Sequence, residues 1–112
     1  MKKIEIITRP ENLDKIKQIL AHNEYSGMTV TNVLGCGHQR GSIPEFEELN
    51  LSMNLLPKIQ VMTVVWDEDV DEILCELQEQ LTTGESGDGK IFVSTVDTVM
   101  RIRTGERGYK TL

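Results

Sequence analysis

Hydrophobic and polar residues alternate along Lys3-Ile4-Glu5-Ile6-Ile7-Thr8-Arg9, a period of two that predicts a strand ended by Pro10. Glu11 or Asn12 then opens a segment in which Leu13, Ile16, Ile19 and Leu20 recur three and four residues apart, the apolar face of a helix. Gly27 closes the turn region that follows, and the β-rich run from Met28 to Leu34 predicts a second strand. A third strand reads from Lys58 to Trp66, with Trp66 as an anchor at its end. Asp67 or Asp69 can cap the next helix, in which Val70, Ile73, Leu74, Leu77 and Leu81 form one stripe. Lys90 to Val96 predicts a fourth strand. The order β-α-β-β-α-β predicts an α+β, ferredoxin-like sandwich with the two apolar stripes as its core.

Between the second and third strands periodicity lapses. This long loop, 37–57, carries Gly37, Gly41, Pro44 and the acidic residues Glu45, Glu47 and Glu48. A hairpin needs only about two to five residues, and loops of this length in compact domains tend to carry function.

A chain of 112 residues fits one domain, 1–112. No apolar run approaches the roughly 20 residues that span a membrane. Met1-Lys2-Lys3 leads straight into the first alternating segment, so a cytoplasmic, non-inserted protein is expected. Cys36 and Cys75 have no metal-ligand spacing and are too few for a disulfide framework, which points to reduced thiols. A formal net charge of −6 and 4% aromatic residues argue against nucleic acid as a partner. They leave room for a small anion, because a local cationic site can sit on an acidic protein.

The chemistry is concentrated late in the chain. Thr83-Gly84-Glu85-Ser86-Gly87-Asp88-Gly89-Lys90 combines three glycines with a lysine at the start of an apolar run. Glycines let backbone amides converge on an anion, so phosphate binding is the first hypothesis. Gly84 to Lys90 matches most of a P-loop, but Ile91 stands where Ser or Thr would ligate Mg²⁺, and a strand follows instead of a helix. A Walker-type NTPase is thereby excluded, and on this motif alone a plain helix-to-strand turn is the better reading. Arg101-Ile102-Arg103 changes the balance: alternation in a strand would put both guanidiniums on one side, where they need an anion or solvent. The turn Gly35-Cys36-Gly37-His38-Gln39-Arg40-Gly41 fails the dinucleotide fingerprint, which requires a helix after it. His22 and His38 lack acidic or Cys partners at ligand spacing, and no nucleophile or base for catalysis stands out.

Taken together these blocks resemble the nitrogen-regulatory P-II signal-transduction family. The likeness runs through Arg9-Pro10 with Leu13-Asp14, Gly27-Met28-Thr29-Val30, Gly35-x-Gly37-x-Gln39-x-Gly41, Leu56-Pro57-Lys58, Thr83-Gly84 with Gly87-Asp88-Gly89-Lys90-Ile91-Phe92-Val93, and Arg101-Ile102-Arg103-Thr104-Gly105-Glu106. The resemblance implies a non-enzymatic homotrimer with three clefts between neighbouring subunits, in which ATP and ADP compete. In many members Mg-ATP and 2-oxoglutarate bind together and reshape the long loop, which docks on a regulated enzyme, transporter or transcription factor. By position, Gly87, Asp88, Gly89 and Lys90 of the loop 82–90 hold phosphates from one side. Arg101 and Arg103 of the C-terminal segment 101–112 reach them from the neighbour. Thr29 and Val64 lie near the nucleoside, with Gly35, Gly37 and His38 close by. Gln39, as a contact of the ATP-bound Mg²⁺, joins Gly41 and Lys58 around 2-oxoglutarate. Glu45, Phe46, Glu47, Glu48, Leu49 and Leu51 face the protein partner.

Departures from the family pattern carry expectations of their own. Leu51 stands where many relatives have a tyrosine that accepts a nucleotidyl group; leucine has no hydroxyl, so that modification is excluded there. His38 replaces an arginine near the terminal phosphate, and Met62 replaces a common glutamate. A neutral imidazole offers one donor where guanidinium offers five and a fixed charge, so a weakened 2-oxoglutarate response is expected. Two readings from other classes remain beside the sensor: a small nucleotide-hydrolysing enzyme and a ligand-free structural trimer.

Overall fold

The four predicted strand segments form one antiparallel sheet. The computed structural model describes residues 1–36 and 55–112. Within them β1 is Lys2–Thr8, α1 Leu13–His22, β2 Thr29–Cys36, β3 Leu55–Val65, α2 Val70–Leu81 and β4 Gly89–Thr95. The sheet order is β2-β3-β1-β4, so the first and third strands are central and the α+β ferredoxin-like arrangement holds.

Burial follows the period of two. Ile4, Ile6 and Thr8 of β1 and Ile59, Val61, Thr63 and Val65 of β3 are buried. Their facing layer is Ile16, Ile19 and Leu20 of α1 with Ile73, Leu77 and Leu81 of α2. Each helix therefore exists less by propensity than by having this sheet face to bury its stripe against. Tyr25 and Trp66 close one end of the core with ring centroids 5.9 Å apart, edge to face. The Tyr25 hydroxyl donates to Asp69 Oδ2 and accepts from the Trp66 amide at 3.0 Å. Burial first, and then Asp69, push its pKa up to about 12.

Several boundaries differ from the sequence reading. β3 begins at Leu55, so residues 55–57 of the expected loop are strand, continuing the pairing Cys36–Leu55, Gly35–Leu56 and Leu34–Pro57. Pro57 fits because the β1 pairing ends at Ile59, so β3 has a strand on one side only there. Gly89 and Lys90 belong to β4 rather than to the preceding loop. Neither expected cap forms: Asp69 sits at the cap position without a capping bond, since its carboxylate accepts from Tyr25. Asp67 instead pairs with the Met1 amino group at 2.7 Å. Arg101-Ile102-Arg103 is not a strand; only an isolated Met100–Arg107 bridge forms there, and 102–104 is a turn. The shared-side argument for the two guanidiniums therefore does not hold. A Gly105 with φ +75° and a Gly105 amide bonded to the Arg101 carbonyl at 2.7 Å close that turn instead.

Register fixes what lies at each end of the sheet. At one end Thr8 stands between Ile59 and Gly89; at the other Lys2 stands between Val65 and Thr95.

Candidate functional site

The glycine-rich loop is pinned to the first of these ends by its neighbours' side chains. Thr8 Oγ1 donates to the Asp88 carbonyl at 2.7 Å, and Asn12 Nδ2 in turn donates to Thr8 Oγ1 at 2.9 Å. Arg9 Nη2 donates to the Ser86 carbonyl and Nη1 to Asp88 Oδ1, both at 3.1 Å. Lys58 Nζ, arriving from β3, donates to the Gly87 carbonyl at 3.0 Å. Asp88 closes the loop on itself: Oδ2 accepts the Thr83 amide at 2.7 Å and Oδ1 the Thr83 hydroxyl. These Thr83 bonds, and behind them the Arg9 guanidinium, hold the Asp88 carboxyl below the usual carboxylate range.

Two glycines are obligatory here for separate reasons. Gly87 has φ +94°, and a Cβ on it would come within 3.3 Å of Arg9 Nη2. Gly89 has φ +113°, and its Cβ would fall 2.0 Å from the Ile7 carbonyl oxygen. Gly35 shows a third kind of constraint, because the Lys58 stem crosses it with Cγ 3.0 Å from where a Cβ would stand. Lys58 thus spans from Gly35 of β2 to the glycine-rich loop. Beside the loop a cleft of about 250 Å³ opens between α2 and β4, lined by Leu77, Leu81 and Ile91 together with Asp88, Gly89 and Lys90.

The remaining expected contacts lie elsewhere. Thr29 pairs with Met62 and Val64 with Lys3, on the sheet face opposite α1 and α2. Val64 is six residues along β3 from Lys58, about 20 Å at strand rise. The C-terminal segment is tied to that same far end: Trp66 Nε1 donates to the Tyr109 carbonyl at 2.9 Å and the Val96 amide to the Met1 carbonyl at 3.1 Å. Arg101 bonds Glu106 at 3.4 Å and the Thr111 carbonyl at 3.3 Å, closing the segment on itself rather than reaching the glycine-rich loop. Arg103 is exposed in the turn. Gly37, His38, Gln39, Gly41, Glu45, Phe46, Glu47, Glu48, Leu49 and Leu51 lie outside the described residues. Among the described residues no cluster of His, Cys, Asp or Glu could hold a metal ion, and no helix is long and apolar enough to cross a membrane.

Comparison with known proteins decides the family. The sequence model of Nitrogen regulatory protein P-II matches residues 1–106. The chain belongs to the P-II family. It is 46% identical to Nitrogen regulatory protein P-II 2 of Methanothermobacter thermautotrophicus over 112 residues, covering 100% of this chain and 97% of the relative. It is 44% identical to Nitrogen regulatory protein P-II of Pasteurella multocida over 106 residues, 95% of each chain. The protein of that name from Synechocystis is 43% identical over 107 residues, 96% of each. As a P-II protein the chain is a signal-transduction regulator of the nitrogen-regulatory class.

Within this P-II chain the structure brings Gly87, Asp88, Gly89, Lys90, Gly35 and Lys58 to one end of the sheet. It leaves Thr29, Val64, Arg101 and Arg103 at the other. Sequence reasoning assigned no role to Thr8, Arg9 or Thr83, although each contacts residues 86–88. Arg9 and Asp88 are 79 residues apart, and only the antiparallel register of β1 with β3 and β4 makes them neighbours.

Proposed function

We propose that this P-II protein is a homotrimeric sensor of ATP and ADP that controls a partner protein through residues 37–57. The observation that carries the reading is the division of the expected contacts into two groups at opposite ends of the sheet. One chain offers amides, Lys90 and Lys58 at one end, and the arginines with Thr29 and Val64 toward the other, Thr29 about 13 Å and Val64 about 20 Å from Lys58 along the strands. We read an adenine nucleotide as bridging two copies rather than both groups of one. It touches both where one copy's glycine-rich loop meets the next copy's far end, and a closed ring of such contacts contains as many clefts as subunits. In that cleft Lys90 and the loop amides hold the phosphates shared by ADP and ATP, with Arg101 and Arg103 supplied by the neighbour. Nucleotide state then biases residues 37–57, a ligand-driven population shift that needs no bond-breaking chemistry.

Titration calorimetry with ADP tests this. Saturable binding at up to one nucleotide per chain is expected, and Arg103→Ala should weaken it by about 1.5–3 kcal/mol, as for a charge-assisted hydrogen bond. Unchanged affinity in the variant would remove Arg103 from the site. A second expectation concerns 2-oxoglutarate. His38 and Met62 withdraw a cation and a carboxylate from the cleft, and Lys58 Nζ is occupied by the Gly87 carbonyl. With Mg-ATP present, 2-oxoglutarate should bind weakly or not at all; tight Mg-ATP-dependent binding overturns that expectation.

A further inference from the structure

The three side chains holding the loop all bond to consecutive carbonyls. Arg9 takes the Ser86 oxygen, Lys58 the Gly87 oxygen and Thr8 the Asp88 oxygen. In a planar trans peptide the C=O of one residue and the N–H of the next point in opposite directions. Drawing the Ser86 carbonyl toward Arg9 therefore turns the Gly87 N–H away from it. Drawing the Gly87 carbonyl toward Lys58 does the same for the Asp88 N–H. Among the described residues neither of these two amides has a hydrogen-bond partner. The third tether, Thr8, fixes the point where the loop enters β4.

We propose that Arg9, with Lys58 and Thr8, is a positioning residue: it aims the Gly87 and Asp88 amides outward at an anionic group by fastening the carbonyls behind them. Asp88 is part of the same device and not a ligand. Its carboxylate accepts from Thr83 and pairs with Arg9, which neutralises a charge that would otherwise repel phosphate. The positive φ of Gly87 completes the arrangement, since it lets the loop lie against Arg9 and Lys58 without a Cβ between. Converging amides bind anions only if they are held in place beforehand, because ordering them at the moment of binding costs affinity. The tethers provide that order in the free protein. This inference rests on the nucleotide reading above for the identity of the anion, and adds how the phosphate end of the cleft is shaped.

The test uses the full chain, first without ligand and then with ADP. In the free protein, Arg9→Gln should shift or broaden the Gly87 and Asp88 amide resonances in a ¹H–¹⁵N spectrum while leaving those of Val61 and Ile73 in place. ADP affinity should fall about ten-fold, the usual consequence of losing a charge-assisted bond. Asp88→Asn should move the same two resonances, and adding it to Arg9→Gln should cost less than the two separate losses combined. Thr83→Val gives a second route to the same anchor should Arg9→Gln fold poorly. Unmoved free-state amides with lost ADP affinity would make Arg9 a direct phosphate ligand and overturn the positioning role. ADP affinity within two-fold of the parent in Arg9→Gln would overturn it as well. Absence of ADP binding by the unaltered protein removes the nucleotide reading instead, and the free-state amide shifts still decide whether the tethers set the loop.

Discussion

Gly89→Ala should be the most damaging single substitution in the glycine-rich loop, lowering stability by about 3 kcal/mol or more. Two effects add. At φ +113° an L side chain is strained whatever surrounds it, and the new methyl would stand 2.0 Å from the Ile7 carbonyl oxygen. That oxygen is backbone in the central strand β1, so it cannot swing aside as a flexible side chain would. Relief requires β4 to lift from β1 at the junction that Thr8 and Gly89 share. Gly84→Ala is the internal control, because φ there is +79° but nothing lies within 4 Å of the added carbon. It should cost only about 1 kcal/mol, the left-handed strain alone. Urea unfolding of both variants at one protein concentration measures the difference, the concentration being fixed because assembly contributes to apparent stability. Equal losses in the two variants would show that the contact with Ile7 is relieved without cost.

Mixed trimers should regain nucleotide sites that neither parent has. On the nucleotide reading proposed above, Lys90→Ala would damage the loop end of the cleft and Arg103→Ala the far end, so each variant alone should bind ADP poorly at every interface. When the two are unfolded together and co-assembled at equal amounts, roughly one interface in four joins an intact loop to an intact arginine end. That fraction should bind with the affinity of the parent protein, read as the stoichiometry in calorimetry. The prediction depends on the ends of the sheet being too far apart for one chain to build a site by itself. Recovery of no sites at all would mean that Lys90 and Arg103 serve the same chain, and the intersubunit cleft would have to be abandoned.

How much of this was legible in the sequence varies with the range of the interaction. Local periodicity located the two helices and four strands of the described residues, because an apolar stripe or an alternation is the direct imprint of a face to be buried. It erred where a partner strand decides the boundary. Nothing in Leu55-Leu56-Pro57 distinguishes loop from strand until β2 lies alongside, and Arg101-Ile102-Arg103 alternates correctly yet pairs with no strand among the described residues. Helix capping failed for a similar reason, since Asp67 and Asp69 found stronger partners in the Met1 amino group and Tyr25.

The glycine-rich block that the sequence presents as one unit is divided by the structure among three tasks. Gly87 forms the exposed bend, Asp88 is the anchor, and Gly89 with Lys90 begins a strand. By itself the sequence determined the fold class and the family, and it singled out the glycine-rich block as the one to examine. These depend on periodicity and on residue types within a few positions of each other. Only the tertiary structure decided that Thr8, Arg9 and Lys58 hold that loop, and that the arginines sit at the opposite end of the sheet. The first follows from antiparallel register, which brings together residues up to 93 positions apart, and the second from the bonds that tie the C-terminal segment to Met1 and Trp66. Local spacing cannot encode such a pairing, because register is set by the burial of whole strand faces rather than by any one residue.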